Sequence, residues 1–201
     1  MRRLLLLPAF LLAATPAFAE QLTCNGPFAA DSSEAKLIEA FGKDNVVTGE
    51  VPGPEGSTVL ATTVFPNDET KKIEVGWWDE EGLTQLAYFT IPSGDVSPQG
   101  VKTGMTVKEV EALNGAPFEM QGFWWDYGGY ANFTGGKLGA PEEGCIVSVR
   151  FAPAGDYPSD LNVDAIAGEV LVPSSEPLLE KLDVRVESLS VSYPDFGASE
   201  D

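Results

Sequence analysis

All four tryptophans of the chain fall in two triplets, Trp77-Trp78-Asp79 and Trp124-Trp125-Asp126, and the second runs on into Tyr127-Gly128-Gly129-Tyr130. Flat, rigid rings beside carboxylates support two kinds of chemistry. They anchor protein interfaces, where Trp and Tyr carry much of the binding energy, and they serve as stacking platforms for sugar rings. The same company of Asp79, Glu80 and Asp126 would suit a glycoside hydrolase, which needs two carboxyl groups about 5 to 9.5 Å apart, one with a raised pKa. Among 31 acidic side chains, however, some meet aromatics by chance. The rings are the stronger signal.

Other chemistries are closed. The absence of histidine removes the Ser-His-Asp and Cys-His nucleophile systems and every His-containing zinc or iron site. Two cysteines cannot ligate a Cys₄ cluster. Asp156, Asp160, Asn162 and Asp164 are spaced like calcium ligands, yet Ala165 stands where an EF-hand needs glycine and Leu171 where it needs its bidentate glutamate. No cofactor is expected and no metal site is assigned, with a loose surface calcium site left open at these residues. The glycine-rich stretches 126–130 and 134–139 lack the strand-to-helix setting of a phosphate loop and read as hairpin turns.

The elements that would position the rings begin with two capped helices. Thr106 with Glu109 forms a capping box, Met105 and Val110 are placed as a hydrophobic staple, and Asn114-Gly115 followed by Pro117 closes that helix. Earlier, Asp31 with Glu34 is expected to open a helix whose Leu37, Ile38 and Phe41 share a face and which Gly42 ends. Strand patterns follow each helix: Thr58 to Phe65, Ile73 to Trp78 and Leu83 to Ile91, then Phe123 to Tyr127, Tyr130 to Thr134 and Cys145 to Ala152. A short third helix is expected within Ser174 to Leu182, before a strand from Val184 to Tyr193 with a phase change at Glu187-Ser188. Helix then strands, twice, predicts a duplication with a period of 73 residues if Gly42 is matched with Gly115, or 75 if Glu34 is matched with Glu109. The 47 residues between the tryptophan doublets fit neither period.

The stretch Gly104-Met105-Thr106-Val107-Lys108-Glu109-Val110-Glu111-Ala112-Leu113-Asn114-Gly115-Ala116-Pro117 resembles the helical element of the superfamily that includes β-lactamase inhibitory protein and small outer-membrane assembly lipoproteins. Gly122-Phe123-Trp124-Trp125-Asp126-Tyr127-Gly128-Gly129 is similar to a segment of exported proteins with the same two-helix plan. The resemblance implies an α+β fold of tandem helix-plus-antiparallel-sheet repeats. It does not carry over inhibition of a β-lactamase, because no residue of the inhibitor's contact loop can be matched here.

Residues 1–19 have the charged, apolar and small-residue parts of a secretory signal peptide ending Ala17-Phe18-Ala19. Its removal would make the formal net charge of −19 more negative by two. Such a balance repels nucleic acid and favours a basic partner. No later stretch is long and apolar enough to span a bilayer, so the expected location is the periplasm or the medium. There Cys24 and Cys145 should pair as a structural disulfide, with Cys145 on the apolar face of its strand.

The expected organisation is a signal peptide at 1–19, a first repeat at 20–103, a second at 104–193 and an acidic tail at 194–201. In a strand, adjacent side chains point to opposite faces, so each Trp-Trp pair would send one indole to the core and one to the second face. Either that face is bare, or a second layer covers it. The bare arrangement predicts a non-catalytic binding module that presents Trp78, Asp79, Trp124, Trp125, Asp126, Tyr127 and Tyr130 to a protein partner with a basic surface. The other class is a carbohydrate-binding protein or weak carboxylate-dependent glycoside hydrolase. Oligomeric state is not encoded in any pattern found.

Overall fold

Helix starts are set by the residue that is still extended when the turn begins. The computed structural model describes residues 22–53, 56–140 and 144–195; the expected signal peptide and most of the expected tail lie outside them. Helix α1, Glu34–Phe41, is capped by Ser33, whose hydroxyl accepts from the Lys36 amide. Asp31, the cap expected from spacing, comes too early because Ser33 is still bridged to Thr84 as an extended residue. Asp31 instead pairs with Lys36 at 3.0 Å. Helix α2, Val107–Asn114, has the full capping box of Thr106 and Glu109, and Gly115 ends it with a left-handed φ of 72°. Helix α3 covers only Pro177–Lys181 of the stretch expected to be helical.

The strands of the first half are β1 (Val46–Pro52), β2 (Thr58–Val64), β3 (Ile73–Asp79) and β4 (Thr84–Ile91). Those of the second are β5 (Glu119–Gln121), β6 (Ala131–Asn132), β7 (Ile146–Pro153), β8 (Leu171–Pro173) and β9 (Val184–Ser192). One six-stranded antiparallel sheet runs β1-β2-β3-β4-β9-β7, and β6-β5-β8 form a three-stranded sheet beside it. The two halves therefore share one sheet through β4 and β9. The phase change expected near Glu187 is a bulge: Arg150 pairs with Ser188 and Phe151 with Val186, leaving Glu187 as the extra residue. Two expected strands are corrected. Phe123 to Tyr127 is not a strand but part of the loop joining β5 to β6, and Tyr130 to Thr134 shrinks to β6.

The register assigns each side chain to a face. Val64, Val75, Phe89, Val191 and Val147 lie across the inner face of neighbouring strands. They share one buried cluster with Leu37 of α1, Val110 of α2 and Leu179 of α3. Phe28 stacks on Phe89 and Phe118 on Phe151, so in each half a ring next to the helix covers a strand phenylalanine. Cys24 and Cys145 are bonded and buried, tying the segment before α1 to the start of β7. The opposite face carries Val47, Trp78, Ile146 and Tyr130 exposed.

The disulfide closes a loop with a sequence separation of 121. Reducing it, or replacing both cysteines by serine, is expected to cost about 4 to 5 kcal/mol on the chain-entropy model. Urea unfolding with and without reductant measures it directly; an unchanged midpoint would show that the bond adds nothing to stability.

Candidate functional site

Alternation along β3 separates the first tryptophan pair. Trp77 points inward, is 4% exposed and donates from Nε1 to Thr62 Oγ1 at 2.9 Å. Trp78 points outward, is 47% exposed and donates to the Tyr193 carbonyl oxygen at 3.2 Å. That division is the one expected from the pleat. Asp79 is engaged elsewhere: its two carboxylate oxygens accept from the Gly82 amide at 3.0 Å and the Thr84 hydroxyl at 2.9 Å, closing the β3–β4 turn. These bonds, the Gly82 amide first, hold its pKa below the ordinary aspartate value. Asp79 thus fastens a turn.

The second pair is placed by a loop, which corrects the strand alternation expected for it. The ladder of β5 with β6 is prolonged by the Gln121 amide bonding the Tyr130 carbonyl and the Gly129 amide bonding the Gln121 carbonyl, so 122–128 form its end loop. Amides of Gly122 and Phe123 donate to the Val170 and Ile166 carbonyls, pinning the loop from the other side. Within it Trp124 has a φ of +66°, a left-handed conformation that costs a bulky side chain about 1 to 2 kcal/mol. Trp124 is 50% exposed and leans on Phe123 and Tyr157. Trp125 is half-buried, bonded through Nε1 to the Gly122 carbonyl, with Tyr127 edge-on to it. Tyr127 and Tyr130 are 48% and 41% exposed.

The outer face is the floor between these aromatics. Tyr88, Ser192 and Ile146 form one row across β4, β9 and β7, and Thr90, Ser190 and Ser148 form the next. Ser188 and Arg150 follow, with Tyr130 bridged to Arg150 at the sheet edge. Tyr88 lies flat over Gly76, where a Cβ would run into its ring, and its hydroxyl donates to Glu74 Oε1 at 2.9 Å. Burial, reinforced by the Glu74 charge, pushes that phenol far above its usual pKa.

Pro52 and Gly53, on the β1 side of the sheet, line one cavity with Trp125, Tyr127, Tyr130 and Arg150 on the β7 side. The space measures about 1230 Å³. In a flat sheet the outermost of six strands would stand about 24 Å apart. A twist of about 20 to 25° per strand raises diagonal corners toward each other, and the end of β1 at Pro52 and Gly53 and the aromatic loop are such corners. The outer face is accordingly a trough with one wall from each half of the chain.

Of the residues expected in the site, Trp125, Asp126, Tyr127 and Tyr130 meet at this trough. Trp124 faces an adjoining notch of about 330 Å³ with Tyr157 and Glu187, and Trp78 lies on the outer face at the end of β3. Sequence reasoning missed Arg150 and Tyr88. Arg150 lines the trough, the notch and a further 330 Å³ recess over Thr90, Ser148 and Ser190. The signal was present in β7, where the apolar face of Cys145, Val147, Val149 and Phe151 leaves Ser148 and Arg150 pointing the other way. Among the described residues no group of three or more His, Cys, Asp or Glu side chains is placed to hold a metal ion. No protein-family model, curated protein or solved structure matches this chain.

Gly129 has a φ of +81°, and a Cβ there would run into the Phe151 carbonyl oxygen. Gly129→Ala is expected to lower stability by about 2 kcal/mol or more, measured by denaturant unfolding; a wild-type midpoint would mean that the loop does not sit against β7. Asp79 provides a pH test. Its folded pKa is depressed, so its contribution is complete above the unfolded value near 3.8 and is lost as pH falls through the folded value. The stability difference between wild type and Asp79→Asn should be full at about pH 6 and shrink on acidification below about pH 4. A difference independent of pH would contradict the turn assignment.

Proposed function

We propose that this chain is an exported, non-catalytic binding module that docks a protein partner in the trough of its sheet. The observation that carries the reading is the convergence of Trp125, Tyr127, Tyr130 and Arg150 on one cavity whose far wall comes from the other half of the molecule. Rigid aromatics around an arginine are the composition of an interface hot spot, because they bury large area at little cost in side-chain entropy. A trough open to solvent leaves that area for another molecule to cover. The net charge of −19 steers a partner with a basic surface and repels nucleic acid. Asp126 stands on the trough wall, where an exposed carboxylate sets orientation.

Export is supported by the secretory pattern of residues 1–19 and by the cysteine pair, which persists in oxidising compartments. No helix among the described residues is long and apolar enough to cross a membrane. The tandem-repeat plan, and with it the resemblance to the β-lactamase inhibitory protein superfamily, is supported by the order of helix then antiparallel strands in both halves and by the matching Phe28–Phe89 and Phe118–Phe151 stacks. Against Asp79 as the general acid of a hydrolase stand its turn bonds, which hold it in the charged form when that role needs the reverse.

The test is capture of the partner from the envelope or medium of the source cells on immobilised wild-type protein, followed by affinity measurement with variants. Tyr127→Ala with Tyr130→Ala is expected to weaken binding at least about thirtyfold, while Glu39→Ala on α1 leaves it within about twofold. Binding that survives the double variant overturns the site. Retention of a glycan in place of a protein, on an array read in parallel, favours the carbohydrate-binding alternative.

A further inference from the structure

We propose that Arg150 forms a carboxylate-binding subsite on the β7 wall of the trough. In a chain with 12 basic and 31 acidic side chains, this guanidinium lines all three adjoining cavities of the outer face. Its Nε donates to the Gly128 carbonyl at 2.9 Å, and its Cζ sits over the Tyr130 ring, 5.4 Å from the centroid. Those two contacts fix the fork. Glu187 approaches Nε at 3.7 Å, offsetting part of the charge from the bulged side. Among the described residues no hydrogen bond is made by Nη1 or Nη2.

A fixed guanidinium with two unengaged terminal nitrogens is matched to the two oxygens of a carboxylate, which it binds through parallel N–H···O bonds. The floor completes the match. Thr90, Ser148, Ser188 and Ser190 line the recess that contains Arg150, and their hydroxyls can donate to the remaining lone pairs. The inference rests on the trough being the docking site and adds what its β7 wall reads: an acidic group set in an otherwise basic partner surface. The carboxylate could belong to an acidic side chain or to a uronic acid of a glycan.

The disulfide-bonded chain is titrated with N-acetylglutamate amide and with glucuronate, each beside its neutral counterpart, N-acetylglutamine amide or glucose. Tryptophan fluorescence and the Arg150 Nε–H resonance are followed. At least one carboxylate should bind saturably where its neutral counterpart does not, with affinity reduced at least tenfold in Arg150→Gln and partly kept in Arg150→Lys. Ser190→Ala, which leaves the Arg150–Gly128 bond in place, should weaken binding severalfold and decides the matter if Arg150→Gln does not fold. Absence of binding by both carboxylates, or binding indifferent to these substitutions, overturns the subsite. Binding of glucuronate alone keeps the subsite and overturns the protein-partner reading. Binding of the glutamate derivative supports both.

Discussion

Pairing of Tyr88, Phe89, Thr90 and Ile91 with Ser192, Val191, Ser190 and Leu189 makes one sheet of the two halves of the chain. The period of two along each strand then forces a division that no local preference could make. Phe89 and Val191 face inward into the common core, while Tyr88, Thr90, Ser190 and Ser192 align on the outside. A slip of one residue would exchange these sets, exposing the phenylalanine and burying the hydroxyls. The burial of apolar side chains on one side therefore fixes the polar composition of the other. The helices and the disulfide all serve that inner side.

What is left outside is shaped by twist. Six strands rotating in one sense bring the end of β1 at Pro52 and Gly53 and the loop of 122–128 toward each other over the outer face. The loop is held from both sides, by Gly129 against Phe151 and by Gly122 and Phe123 against the segment 166–170. It carries a tryptophan in a left-handed backbone conformation without gaining burial for that ring. Strain of this kind persists only where neighbouring bonds impose it. Here it presents Trp124 and Trp125 to two adjoining cavities.

Much of this was legible in the sequence because the signals are local. The capping box at Thr106, the apolar alternation of β2, β3, β4, β7 and β9, the bulge at Glu187 and the pairing of Cys24 with Cys145 were all expected from neighbouring residues or from the secretory pattern of residues 1–19. The separation of Trp77 from Trp78 followed from the pleat. The second tryptophan pair looked alike in sequence and behaved differently, because a loop secured by Ile166 and Val170 has no period of its own. Strands β1, β5 and β8 were not expected. β5 and β8 are three residues each, too short to show a pattern, and β1 contains Gly49 and ends in Pro52. Arg150 was overlooked because its role depends on Gly128 and Tyr130, some twenty positions away, and Asp79 was overrated because its partners lie in the turn that follows it.

The central claim is that the outer face, and not the helix side, meets the partner. A photoreactive amino acid placed singly at Val47 or Tyr130 on the outer face, and at Ala112 on the exposed side of α2, reads this directly in the source cells. A trough that docks a partner predicts one discrete crosslinked species from Val47 and Tyr130 and none from Ala112. Crosslinks from Ala112 with none from the trough would contradict it.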